Sequence, residues 1–167
     1  MSQVRILPGP PMDIAPEIHV RPGRPEEAAS LSELAMRSKA HWGYDAAFLE
    51  ACRSELTLAP EDVVAERVMV AEVDGSVGGF VALAGSPPVG DLSFLFVDPP
   101  FMGMGVGRTL FAAAVDTATS GGFRAFTADA DPGAEAFYLR MGARRVGSVP
   151  SGSVPGRALP RLRFDVP

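Results

Sequence analysis

Alternating apolar and polar positions mark most of the extended segments. Residues 17–21 alternate as Glu17-Ile18-His19-Val20-Arg21 and predict a first strand. Runs at 68–72 and 77–83 predict two more, joined by Val73-Asp74-Gly75-Ser76, whose Asp-Gly pair is a hairpin signal. A turn at 87–90 leads into 92–97, apolar but for one serine, which predicts a buried strand. Strands are also predicted at 123–128 and 144–149. Leu162, Phe164 and Val166, alternating with Arg161, Arg163 and Asp165, predict a half-buried last strand. Helical spacing fills the gaps. Ala28, Leu31, Leu34 and Ala35 follow Pro25-Glu26-Glu27, a proline-led acidic first turn. Phe48, Leu49, Cys52 and Leu56 follow Asp45 as N-cap, and a short helical piece is expected up to Glu66. Val106, Leu110, Ala114 and Ala118, with Phe111 beside them, give one face to a helix over 108–120 that Gly121-Gly122 closes. Another short helix is expected around Phe137. Hairpin-linked strands followed by a strand–helix–strand unit predict an α/β (α+β) fold: a mostly antiparallel sheet with one parallel pair and flanking helices.

Residues 1–16 hold Pro8, Pro10, Pro11 and Pro16 with Gly9 and no packing periodicity, so they are expected to be an extended tail ahead of one domain at 17–167. A net charge of −5 argues against a general nucleic-acid binder. A single cysteine, Cys52, excludes an intramolecular disulfide and fits a reducing compartment. No apolar run is long enough for a bilayer, and prolines interrupt the N-terminus where a leader's apolar region would lie, so a cytoplasmic protein without membrane contact is expected.

The chemistry concentrates after the 92–97 strand. Asp98-Pro99-Pro100 stops it, since proline cannot donate to a ladder. Gly103, Gly105 and Gly107 then alternate with Met104 and Val106, and Arg108 opens the long helix. Glycines that admit a ligand to the backbone, a helix start with unpaired amides and an adjacent arginine make an anion site, most naturally for phosphate. It is neither a P-loop, which needs Lys and Ser/Thr after its last glycine, nor a dinucleotide loop, whose sixth position would fall on Arg108 or Leu110.

Met102-Gly103-Met104-Gly105-Val106-Gly107 does resemble [Q/R]-x-x-G-x-[G/A], the acetyl-CoA loop of the GNAT superfamily of N-acetyltransferases, with Met102 in place of Gln or Arg. The stretch 129–143, with its Phe137-Tyr138 pair and Gly142 turn, resembles that superfamily's second signature. The resemblance implies a splayed parallel strand pair and acetyl-CoA as cofactor, with no metal. The reaction it implies is direct attack, in a ternary complex, by a primary amine of a small molecule, peptide or protein. Leu95, Phe96 and Val97 would pair with the pantetheine arm, the Val97 amide would face the acetyl oxygen, and amides from Met102 to Arg108 would take the pyrophosphate. Asp131, Ala134 and Phe137 would complete the cofactor site, and Tyr138 would protonate or hydrogen-bond the sulfur. His41, Trp42 and Tyr44 in the first interhelical link, and Ser151 and Ser153 in the 150–160 loop, would line the acceptor, although a packed corner and a plain hairpin connection explain them as well. The base stays open among Asp129, Asp131, Asp98 and His41. A non-catalytic acyl-CoA sensor is the alternative, and a homodimer through the tail or the final strands is plausible.

Overall fold

A computed structural model describes residues 15–167; the tail segment at 1–14 lies outside the described residues. Seven strands form one sheet: β1 (Ile18–Pro22), β2 (Met69–Val73), β3 (Ser76–Ala84), β4 (Val89–Val97), β5 (Ala125–Asp129), β6 (Arg144–Pro150) and β7 (Ala158–Asp165). Their order is β1-β2-β3-β4-β5-β7-β6, antiparallel at every step except β4–β5. The helices are α1 (Ala28–Ala40), α2 (Ala46–Cys52), α3 (Pro60–Ala65), α4 (Val106–Ser120) and α5 (Glu135–Arg140).

The parallel pair explains the shape of the molecule's centre. Only Val89, Gly90 and Asp91 pair with β5, against Ala125, Phe126 and Thr127. Beyond Asp91 the two strands part. The cause lies on the other edge of β4, where Leu92 pairs with Leu83 and Phe94 with Ala82, leaving Ser93 as an extra residue. A bulge of this kind bends its strand and re-aims it. The remaining six residues of β4 therefore carry a backbone edge with no strand against it, and a V-shaped gap opens toward their C-terminal end.

Each face of the sheet has its own core. On one face α4 buries Val106, Leu110, Phe111, Ala114 and Ala118 against Val81, Leu83, Leu92, Phe126 and Leu162. Gly79 makes this contact possible: a Cβ there would lie 2.6 Å from the Phe96 carbonyl oxygen and 3.0 Å from Leu110. On the other face α1, α2 and α3 bury Leu31, Leu34, Cys52 and Val63 against Val70, Phe80 and Phe94. This second layer covers β2 to β4 and stops at the gap.

Two of the boundaries that differ from the sequence reading shape the site. β4 begins at Val89 rather than at 92, because the Arg124 and Ala125 amides both donate to the Pro88 carbonyl, at 2.7 and 3.2 Å, and so seed the parallel pairing. β7 begins at Ala158 and reduces the glycine- and proline-rich loop to 151–157.

Candidate active site

The glycine loop stands at the open end of the V. Gly103 and Gly105 have φ of 81° and 85°, values that side chains rarely adopt, and a Cβ at either would meet open space. Among the described residues no amide from Gly103 to Arg108 donates to a carbonyl. The first helical bond of α4 runs from the Thr109 amide to the Gly105 carbonyl, at 3.1 Å. The Met102 amide, expected in this set, instead donates to the Pro99 carbonyl at 3.2 Å in the tight turn after β4. The free amides therefore begin one residue later than expected. They line a cleft of about 390 Å³ walled by Val97, Phe101, Phe137 and Met141, with Arg108 and Arg140 at its rim. Arg140 was not singled out from the sequence, although its position three residues after Phe137 puts both on one helix face.

The cleft continues along the open edge of β4. The Asp98 amide donates to the Gly78 carbonyl at 2.8 Å, and Val97 is registered opposite Gly79. Successive amides in a strand point in opposite directions. The amides of Val97 and Leu95 thus face the gap, whereas that of Phe96 faces β3 and its ring packs on the α1–α3 side. Of the three residues expected to receive the pantetheine arm, Leu95 and Val97 have the backbone freedom to do so and Phe96 does not.

Tyr138 stands on the α4 side of the gap, packed edge-on against Phe111 and Phe137 with centroids 6.4 and 5.3 Å apart. It is 7% exposed, and its hydroxyl makes no hydrogen bond to the described residues but is not sealed from solvent. Burial pushes its pKa well above the usual phenol value, so the proton is retained at neutral pH. Ala134 caps the helix that carries it, and Ala134 and Phe137 pack on the same core.

Across the gap lie the α1–α2 link and the 151–157 loop. Here Asp131, two residues past β5, is a hub and not a free carboxylate. Its Oδ2 accepts from Lys39 Nζ at 2.8 Å, Tyr44 Oη at 2.7 Å and Arg157 at 3.1 Å, while Oδ1 accepts from the Gly133 amide at 2.9 Å. Burial alone would raise its pKa, but the bonds from Lys39, Tyr44 and Gly133 overcome this and hold it at about 2. Such a group is a poor proton acceptor, and the reading of Asp131 as catalytic base is set aside for that reason. It also faces the α1–α2 link and the 151–157 loop rather than the cleft that holds the glycine loop. The other expected carboxylates are engaged as well: Asp98 is gripped by Arg37 through two bonds of 3.0 Å, and Asp129 by Arg161 at 2.8 and 3.1 Å. Asp91, overlooked in the sequence, is in none of these pairs. It sits at the vertex of the V on the same face as Asp129. Local burial, reinforced by the Asp129 carboxylate, raises its pKa above the ordinary value although the residue remains open to solvent on one side.

The remaining acceptor-side expectations divide. Tyr44 stacks on Phe48 with centroids 4.0 Å apart, and burial, then its bond to Asp131, pushes its pKa up to about 12. Trp42 is 48% exposed and lies over the backbone of Gly133. His41 is exposed and meets Trp42 edge-on. Ser151 and Ser153 are occupied within the protein: Ser151 Oγ accepts from the Ser153 and Val154 amides, and Ser153 Oγ donates to Glu55. They shape the loop rather than offering hydroxyls to a ligand.

A sheet parted at its single parallel step, with a cradle of free amides at the mouth, is the arrangement that the resemblance to the acetyltransferase superfamily implies. Residues 30–143 match the model of the acetyltransferase (GNAT) family, and the chain belongs to that family. Solved structures agree with the fold. The PaiA N-acetyltransferase of Thermoplasma acidophilum, in complex with coenzyme A, superposes with a TM-score of 0.73 at 19% identity, over 89% of this chain and 99% of that one. A GCN5-related N-acetyltransferase from Rhodopseudomonas palustris gives 0.71 at 25% identity, over 88% and 94%. YncA of Salmonella typhimurium, a putative acetyltransferase with its cofactor acetyl-CoA, gives 0.63 at 20% identity, over 90% and 95%. No curated protein sequence matches the chain.

Proposed function

We propose that this acetyltransferase moves the acetyl group of acetyl-CoA to a primary amine, in a ternary complex with donor and acceptor on opposite faces of the parted strands. One observation carries the reading: the free amides from Gly103 to Arg108 stand at the open end of a strand whose own edge amides, at Leu95 and Val97, face an unfilled gap. A diphosphate fits the first set, with Arg108 and Arg140 beside it, and the end of the α4 dipole adds to the attraction. An extended amide-bearing arm fits the second. The thioester supplies the activated acetyl group. The Val97 amide is assigned to the acetyl oxygen, where a fixed donor lowers the cost of developing charge. Tyr138, protonated and without another partner, is assigned to the leaving sulfur. Asp91 is assigned as the final proton acceptor for the amine, through a relay of waters because it lies six strand residues, about 20 Å, from Val97, and is chosen because the other carboxylates around the gap are tied to cations.

The test uses a matched pair at Gly105. Asn and Asp tolerate a positive φ similarly and differ in charge. Gly105→Asp is expected to weaken acetyl-CoA binding by roughly 100-fold or more, and Gly105→Asn far less, with circular dichroism of the native fold in both. Equal affinities would show that no diphosphate sits on this loop.

A further inference from the structure

The hub at Asp131 leaves a charge unbalanced. Lys39 and Arg157 share one carboxylate, and the side chains of Lys39, Asp131 and Arg157 are only 12%, 10% and 18% exposed. Of the neighbouring carboxylates, Asp98 pairs with Arg37 and Asp129 with Arg161, while Asp45, bonded to the Phe48 amide, and Glu55, bonded to the Ser153 hydroxyl, keep their charges on the exposed surface. The cluster therefore carries a net single positive charge where water is largely excluded, a costly arrangement that an incoming anion would relieve.

The cations are also shaped for that anion. Arg157 uses one terminal nitrogen for both of its bonds, to Tyr44 Oη at 2.7 Å and Asp131 at 3.1 Å, so its Nε and second terminal nitrogen make no bond to the described residues. Its guanidinium carbon stands 5.2 and 4.8 Å from the Tyr44 and Phe48 ring centroids, which fix its plane. Lys39 Nζ spends one of its three donors. The cluster's place is set by its neighbours: Phe48 and Val154 pack on the same core as Phe96 from the unpaired half of β4, while Asp131 follows β5. It bridges the gap on the face opposite the glycine loop, so the donor's phosphates are not its partner.

We infer that the acceptor is an amine that also bears a carboxylate, an amino-acid-like zwitterion, whose carboxylate docks on the free edge of Arg157 beside Lys39. The charge count selects this class, since one carboxylate neutralises the cluster whereas a phosphate dianion would overshoot it. Arg157 is a specificity-determining residue here and takes no part in the chemistry. The inference rests on the acetyltransferase reading above, with the acceptor entering on the α1–α2 face.

The experiment compares acceptors that share a side chain: leucine, leucinamide and isoamylamine, and likewise phenylalanine, phenylalaninamide and phenethylamine. Thiol release from acetyl-CoA gives turnover. Binding to the CoA-loaded protein is read from the fluorescence of Trp42, the only tryptophan, which lies over Gly133 beside the hub. The free acids are expected to exceed the amides and amines in kcat/KM by roughly 10- to 100-fold, mostly through KM. In Arg157→Gln that preference is expected to fall to near unity with acetyl-CoA affinity unchanged, and Arg157→Lys, which keeps the charge and loses the fork, to lie between them. Turnover of amines and acids at equal kcat/KM by the native protein would overturn the inference and leave the acetyltransferase standing. Saturable binding of the acids alone, without turnover of any acceptor, would uphold the anion site and sink the assigned reaction. Absence of both binding and turnover across the two series would overturn the inference.

Discussion

At the scale of single residues, Asp131 and Asp91 illustrate opposite environments. The folded value of Asp131, about 2, lies below its ordinary 3.8. Its stabilisation is therefore complete above 3.8 and is lost as pH falls from there toward 2. It is worth about 1–2 kcal/mol at neutral pH after allowance for partial solvent screening. Urea unfolding at pH 6 and pH 2.5 is expected to show a smaller difference in Asp131→Asn than in the native protein by about that amount; an unchanged difference would mean that the hub is not a stabilising element. For Asp91 the shift is upward, so the rate is expected to decline with acid from a pH above the ordinary carboxylate value. Asp91→Asn is expected to lower kcat by roughly 100-fold or more and to abolish that limb. A native-like profile in Asp91→Asn together with an altered one in His41→Ala would transfer the role to the imidazole. None of this was legible locally. Asp131 reads as a turn residue, and its partners Lys39, Tyr44 and Arg157 lie 92, 87 and 26 positions away. Asp91 reads as a polar residue in a strand entry, and only its lack of an ion pair of its own, with nearby Arg161 bound to Asp129, distinguishes it.

At the scale of elements, what depends on period and punctuation could be read from the chain. Val106, Leu110, Ala114 and Ala118 do face the sheet, the Asp74-Gly75 turn does close a hairpin, and the helix with Phe137 and Tyr138 does form. The gap was implied only by the family resemblance and not by periodicity, because it is created by one extra residue, Ser93, in an otherwise regular strand, and the register against β3 exposes it. Gly79 couples these elements. It lies opposite Val97, and its missing side chain admits Leu110 and Val106 of the helix that carries the glycine loop. Gly79→Ala is expected to cost about 1–3 kcal/mol by overpacking and to reduce acetyl-CoA affinity in the same variant, measured by denaturant unfolding and equilibrium binding. Lost stability with native affinity would indicate that α4 can shift without moving the loop.

For the whole molecule, the two faces of the sheet divide the labour: α4 and α5 present free amides and arginines, while α1, α2 and the 151–157 loop roof the opposite side through ion pairs from Arg37, Lys39 and Arg157. Net charge of −5 disguises this, since cations gather beside the gap on both faces. No helix among the described residues is long and apolar enough to cross a membrane. If the amide cradle supplies most of the donor's affinity, stability must respond to the diphosphate more than to the acetyl group. Ligand at 100 times its Kd stabilises by about 2.7 kcal/mol, which for a chain of 167 residues corresponds to a Tm increase of roughly 5–10 °C. Acetyl-CoA and CoA are both expected to produce that increase. Acetyl-pantetheine at the same concentration, which keeps the thioester and arm but lacks the diphosphate, is expected to produce almost none. A comparable increase from acetyl-pantetheine would place the donor's affinity on the open edge of β4 and leave the glycine loop as a connection between strand and helix.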